Sequence, residues 1–208
     1  MSLEPRFKAS DATVEKDESL YQGFFQLKRL TIRHRCFDGE DISIARELFI
    51  RPDAVCVVLV DPKLDEVVMV EQFRAGCYDH PESPWLLELV AGIVEPGESV
   101  TEVAGREAEE EAGVQIHDIQ HVCRFTPTPG AVREYIDLLC ARVDANLAAG
   151  VHGLDEEGED ILVHRIPVDD AFRMVREGAI HNAPSIIGLQ WLELNYPRLK
   201  AEWGVLED

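Results

Sequence analysis

Residues 99–112 constrain this chain more than any other stretch, because they read as a helix whose apolar face is partly made of acids. Ser99 and Glu102 form an S-x-x-E capping box at its start, and Gly113 is the natural residue to stop it. At roughly 100° per residue, Val100, Val103, Ala104 and Ala108 share the face that should pack inward. Glu107 and Glu111 fall inside that arc, and Glu110 lies at its edge. Carboxylates spaced i, i+3 and i+4 repel one another on a helix. Glu110 and Glu111 also occupy the last turn, where the helix dipole disfavours negative charge. A hard divalent cation between the carboxylates, Mg²⁺ or Mn²⁺, reconciles these choices, since such ions take oxygen ligands. The plain alternative is a solvated acidic face in an acidic protein, but acids on the apolar arc contradict it.

Forty acidic against 20 basic residues give a net charge of −20. A field of that sign repels nucleic-acid backbones and anionic lipid. The longest apolar stretch, residues 54–60, is far too short to span a bilayer. Neither nucleic acid nor membrane is therefore expected as a partner. Cys36, Cys56, Cys77, Cys123 and Cys140 are odd in number and scattered, with no C-x-x-C pair. That usage, with no signal-peptide pattern at the N-terminus, points to a reducing cytoplasm. The seven histidines show no spacing suited to zinc.

Along the chain, residues 1–18 read as a loose polar arm and 20–35 as one or two strands. Turn chemistry at Phe37-Asp38-Gly39-Glu40 leads into a strand over 42–50. A first small β unit ends near Pro52. Strands follow at 54–60 and 66–73, then an apolar run over 85–94 that ends in a turn at Glu95-Pro96-Gly97, then the acidic helix, then strands at 116–125, 134–143 and 161–166. Residues 145–160 read as a loop, and 168–177 and 185–203 as helices with Pro167 and Pro184 near their starts. The pattern predicts an α/β fold: an α/β/α sandwich with a mixed sheet over residues 53–208, preceded by a small antiparallel β domain over 1–52.

The surroundings of the helix carry a further signal. Gly92-x5-Glu98-x7-Arg106-Glu107-Ala108-x-Glu110-Glu111-x-Gly113-Val114 matches, at each fixed position, the box of the Nudix hydrolases, which the chain therefore resembles. The resemblance implies a loop–helix–loop that binds divalent metal beside a diphosphate. Glu107, Glu110 and Glu111 would be metal ligands, with the backbone carbonyl of Ala91 another. Arg106 and Glu98 would hold the loop against the helix. Two or three Mg²⁺ ions per site are implied, with Mn²⁺ possible in their place.

Other segments are similar to the ADP-ribose pyrophosphatase branch of that family: Tyr21-Gln-Gly-Phe24-Phe25, Arg46-Glu47-Leu-Phe49, Glu71-Gln72-Phe-Arg74, Pro84-Trp85-Leu-Leu-Glu88, Thr128-Pro129-Gly130, Gly150-Val-His-Gly-Leu154 and Leu189-Gln-Trp191-Leu192. The likeness implies that Phe24 and Phe25 face an adenine and that Arg46, Glu47 and Arg51 reach substrate from a partner subunit. Members of this branch dimerise through the N-terminal β unit, so a homodimer with shared active sites is implied. Arg74 would take substrate oxygens, and Ile93, Thr128, Pro129, Gly130 and Glu134 would shape the remaining walls. Taken without the resemblance, the two phenylalanines read as hairpin core, Arg46 and Arg51 as surface charges, and Pro129-Gly130 as an ordinary turn. Ala131 stands where the branch has a second glycine, and Thr128 where it commonly has serine.

Hydrolysis of a diphosphate needs an in-line water, neutralisation of phosphate charge and an acceptor for the water's proton. Residues 155–160 offer five acids around Gly158. They read either as a solvated loop or as the source of that base. The resemblance places the base at Glu157, with Glu156 the neighbouring alternative, and a further metal contact at Glu159. The expected reaction is hydrolysis of ADP-ribose to AMP and ribose 5-phosphate. The rivals are a pyrophosphatase for another nucleoside-diphosphate sugar such as GDP-mannose, and a module that senses ADP-ribose without cleaving it. A nucleoside-triphosphate hydrolase fits less well because of the extra β unit, and mRNA decapping because of the charge.

Overall fold

A computed structural model describes residues 4–154, 156 and 158–204. In chain order its first elements are β1 (Ala12–Gln22), β2 (Gln26–Arg35), β3 (Asp41–Ile50), β4 (Ala54–Asp61), β5 (Glu66–Phe73), β6 (Trp85–Glu88), β7 (Val90–Ile93) and α1 (Val100–Ala112). They continue with β8 (His117–Phe125), β9 (Val132–Arg133), β10 (Ile136–Arg142), β11 (Val151–His152), β12 (Ile161–Pro167), α2 (Val168–Glu177) and α3 (Ala183–Glu202). The chain forms two compact units. One holds the residues up to Pro52 together with Thr126–Glu134, and the other holds Asp53–Phe125 with the residues from Tyr135 onward.

The first unit is a sheet in the order β1-β2-β3-β9, an antiparallel meander with β9 added parallel to β3. Gly39, at φ 99°, makes the β2–β3 turn expected from its sequence, closed by the Cys36 amide on the Glu40 carbonyl at 2.8 Å. The loose arm expected over residues 1–18 is corrected: from Ala12 onward the chain is the edge strand β1. That strand has no apolar alternation to announce it, because both of its faces are largely exposed. Its pairing rests on the backbone ladder and on cross-strand charge pairs such as Lys28 with Asp17 at 2.8 Å. Register shifts at Val14/Lys16 and Ser19/Tyr21 further scramble any period of two.

The second unit is a mixed sheet in the order β11-β12-β5-β4-β10-β8, with β4 and β10 parallel and the other pairs antiparallel. α1 covers one face and α2 with α3 cover the other. β4 reads as an unbroken apolar run because both faces are covered. Val55, Val57 and Leu59 join Val103, Ala104 and Ala108 of α1, while Val58 and Val60 join Phe172, Leu189 and Leu192 of the opposite layer.

β4 and β5 pair only near their turn, through Leu59, Val60 and Asp61. Beyond it they part, β7 pairing with the first half of β4 and β6 with the second half of β5. The apolar run over residues 85–94 therefore holds two strands, divided at Leu89. The Leu89 amide donates to the buried hydroxyl of Ser185 in α3 at 3.1 Å, a bond across the sheet that local sequence does not announce. β9 is a short bridge formed by long-range pairing with β3, and β11 pairs with the nearby β12 inside the stretch read as a loop. Among the described residues no helix is long and apolar enough to cross a membrane.

Candidate active site

α1 is placed by its caps. The Ser99 hydroxyl accepts from the Glu102 amide at 3.3 Å, and the Glu102 carboxylate accepts from the Ser99 amide at 2.8 Å. At the other end Gly113 takes φ 67°, and the Val114 amide returns to the Ala108 carbonyl at 3.1 Å. With both ends fixed, the rotation of the helix is fixed, and the acids go where the periodicity sends them. Glu111 is only 3% exposed. Its carboxylate accepts from the Ala91 amide in β7 at 3.1 Å.

Burial pushes the Glu111 carboxyl up to about 8; the Ala91 bond opposes this, and the charges of Glu107 and Glu159 push further. Burial likewise raises Glu107 to about 7, against the pull of Arg106 and with help from Glu110 and Glu159. Glu107 fits against the sheet only because residue 92 is glycine: a Cβ there would overlap the Glu107 carboxylate. Arg106 donates through Nη1 to Glu107 at 2.8 Å and to Glu110 at 3.0 Å, and reaches Glu98 through Nε at 3.4 Å. Glu98 also accepts from the Glu95 amide at 3.0 Å, tying its own turn. As the side chains stand, with Arg106 drawing on Glu107 and Glu110, no three acidic, His or Cys groups converge tightly enough for an ion among the described residues.

Glu159 reaches the same place from another loop. Its carboxylate accepts from the Leu154 amide at 3.3 Å, and the Gly153 amide donates to the Glu110 carbonyl at 3.4 Å, so Gly153, Leu154 and Glu159 are tied to the end of α1. Glu157, the expected base, lies outside the described residues. Arg74 follows β5 and pairs with Glu88 of β6, and its charge is felt at Glu111. Ile93 is half-buried at the end of β7, opposite Ala54. Ala91, Arg74, Glu107, Glu110, Glu111 and Glu159 are thus gathered on the α1 side of the second unit. Glu88 was missed by sequence reasoning; a charged residue on the inward phase of an apolar strand was the available sign.

The remaining candidates lie in the first unit. Phe24 is 83% exposed and meets Phe25 edge-on at 4.7 Å between ring centroids. Phe25 packs on Phe49 at 5.1 Å and lies under the Arg51 guanidinium at 5.0 Å. Arg51 pairs with the buried Glu134 at 3.2 Å, while its Nε is buried without a hydrogen bond among the described residues. Thr128, Pro129 and Gly130 form an exposed turn, held where the Phe49 amide donates to the Ala131 carbonyl at 2.8 Å and the Arg51 amide to that of Arg133 at 3.1 Å. This zipper explains why residues 126–134 go with the first unit. Arg46 and Glu47 are exposed further along β3, Arg46 bonded to the Ala45 carbonyl and Glu47 to Arg29, both at 2.8 Å. Nothing described joins them to the Phe25–Arg51 cluster.

A capped helix that turns carboxylates inward against a glycine strand, on one face of a mixed sheet, is the signature of one class of hydrolase. The chain belongs to the Nudix family: the NUDIX domain matches residues 50–187. It is 45% identical over 207 residues to a curated ADP-ribose pyrophosphatase of Haemophilus influenzae, across 98% of this chain and 95% of that one. A GDP-mannose pyrophosphatase of Shigella flexneri serotype 5b is 29% identical over 185 residues, 88% of this chain and 96% of the other. A crystal structure of an ADP compounds hydrolase shares the fold, with a TM-score of 0.68 over 94% of this chain and 97% of that one at 19% identity.

Proposed function

We propose that this protein hydrolyses ADP-ribose to AMP and ribose 5-phosphate in a reaction that depends on divalent metal. The observation that carries the reading is the pair Glu107 and Glu111 on the core-facing side of α1, Glu111 buried and Glu107 half-buried, each raised by desolvation and by the charge of other carboxylates. Like-charged oxygens in that setting are costly unless a cation joins them. The donor set fits such an ion, being hard oxygen throughout: the carboxylates of Glu107, Glu110, Glu111 and Glu159 with the Ala91 carbonyl. Mg²⁺ is the expected ion, two or three per site, with Mn²⁺ able to replace it. Such ions, when bound, lower the pKa of water and neutralise phosphate oxygens.

The chain's own groups do the rest. Arg74, oriented by Glu88, offers its planar fork to phosphate oxygens. Glu157 takes the proton from the attacking water at the adenylyl phosphorus. Phe24 and Phe25 supply the adenine platform. Arg46, Glu47 and Arg51 bind substrate from the partner subunit, and Ile93, Thr128, Pro129, Gly130 and Glu134 complete the walls. The dimer is supported by the first unit itself: none of residues 4–52 is buried, and Phe24, Tyr21 and Phe37 are more than half exposed. A small sheet without a core gains stability when a second copy covers it. Five free cysteines suit a cytoplasmic setting.

Purified protein given ADP-ribose and Mg²⁺ should release AMP, and EDTA should stop it. A parallel panel with GDP-mannose tests the second reading, which the 29% relative favours. No AMP from ADP-ribose overturns the proposal, and faster turnover of GDP-mannose reassigns the substrate. Elution as a monomer on a sizing column overturns the dimer.

A further inference from the structure

Strand β5 carries a polar side chain where its neighbours on the same face are core. Alternation puts Gln72 in line with Val68 and Val70, which pack beneath α1, and Gln72 is 8% exposed. Leu86 of β6 and Ile161 of β12 flank it across the strands. Its Oε1 is buried and accepts no hydrogen bond among the described residues. Leaving a buried acceptor unmade costs stability that an apolar residue of the same shape would not. In an otherwise apolar row, such an atom needs a reason.

The surroundings supply one. Arg74 lies two residues further along on the same face and is committed to Glu88, the neighbour of Val70 on β6. Glu159 lies two residues before Ile161, and its charge is felt at both Glu107 and Glu111. Gln72 therefore shares the β5 face of Val68 and Val70, between Leu86 and Ile161, and the one cation beside it in sequence, Arg74, is engaged by Glu88. Among the described residues no carboxyl donates to its oxygen. Phosphate oxygens of a bound nucleotide bring no donor either, whereas a hydroxyl does. An amide also suits the position where another carboxylate would not, because it accepts without adding negative charge.

We propose that Gln72 is a ligand-binding residue whose Oε1 accepts a hydrogen bond from an O–H donor that arrives with the ligand. The donor is a ribose hydroxyl of the nucleotide sugar or a water held by the divalent cation. This rests on the reading of the site given above.

Gln72→Met keeps the length of the side chain and removes the amide. The variant should raise the Tm of the ligand-free protein, since an unmet acceptor is gone. A merely structural amide predicts nothing more. As a ligand acceptor, Gln72 predicts in addition a KM for ADP-ribose raised about tenfold, with kcat held within about twofold. Raised KM with an unchanged Tm response to Mg²⁺ alone identifies the sugar hydroxyl as donor. Loss of the Mg²⁺ response identifies the metal-held water. If neither KM nor the Mg²⁺ response changes, the proposal is overturned. Should the variant not fold, the Gln72 side-chain amide resonance of the wild-type protein decides. A shift on adding Mg²⁺, or ADP-ribose in EDTA, supports the proposal, and no shift with either overturns it. Wild-type protein that releases no AMP counts against the functional reading, whereas wild-type turnover matched by Gln72→Met counts against Gln72 alone.

Discussion

Glu111→Gln should make the metal-free protein more stable while removing its response to metal. Glu111 is 3% exposed, and its carboxyl is raised from an ordinary 4.5 to about 8, chiefly by burial. A folded-state value above the unfolded one favours folding fully only below the lower of the two. The advantage is then lost as pH rises, at about 1.4 kcal/mol per pH unit, until the folded-state value is passed. By pH 7 the wild-type chain has lost about 3 kcal/mol at this one position, and the loss levels off above about pH 8. Glutamine keeps an oxygen for the Ala91 amide, which now bonds Glu111 at 3.1 Å, and has no proton to lose. Unfolding followed in EDTA at pH 5 and pH 8 reads the difference. The variant should nearly match the wild type at pH 5 and exceed it at neutral pH and above. At 2–4 °C per kcal/mol for a chain of this size, the gain near pH 7 is about 6–12 °C in Tm. Adding Mg²⁺ should raise the wild type and leave the variant unmoved. A variant less stable than wild type at pH 8 in EDTA, or one that still responds fully to Mg²⁺, would refute the argument that this carboxylate is buried for a cation.

Three more outcomes are expected. Glu157→Gln should lower kcat by about 10²–10⁴ with KM changed only a few-fold, measured by AMP release, whereas Glu156→Gln should do neither; the reverse pattern moves the base by one residue. Gly92→Ala, whose new methyl group would meet the Glu107 carboxylate, should cost about a hundredfold in turnover, read from initial rates across a Mg²⁺ titration. Apparent Mg²⁺ affinity measured by calorimetry should rise with pH from about 5 to 8 with proton release on binding, because Glu107 and Glu111 hold their protons up to about 7 and about 8. Affinity flat across that range would mean that these two groups do not ligate.

The parts of the fold written in local sequence were readable, and the parts written in long-range pairing were not. Ser99, Glu102 and Gly113 act within their own helix, so the ends of α1 and the inward turn of Glu111 follow from spacing. β4 shows itself because both of its faces are covered. β1 does not, although its hairpin with β2 is local, since its two faces are largely exposed and register shifts break its alternation. The break at Leu89 depends on Ser185, 96 residues away. Placement of residues 126–134 with the first unit depends on the β3–β9 pairing. In the candidate site, the box acids stood out because they violate helix rules. Glu88 was hidden as the one polar residue of a short apolar strand, and Gln72 because it stands next to Glu71 at the polar end of β5, where it reads as surface.

The acidic balance of the chain and the anionic substrate are reconciled at this same local scale. A net charge of −20 slows the approach of a nucleotide from bulk water. Inside the site the far field matters less than a few fixed groups: the Arg74 fork, and carboxylates whose charge becomes tolerable only alongside divalent cations. The free protein accordingly holds back part of its own satisfaction, with two carboxyls disfavoured by burial and one amide oxygen unmet. Each is a group that ligand can complete, so cation and nucleotide should stabilise the folded chain as well as react within it. A surface acidic patch would show none of this coupling, because its carboxylates are already solvated and gain little from a bound ion.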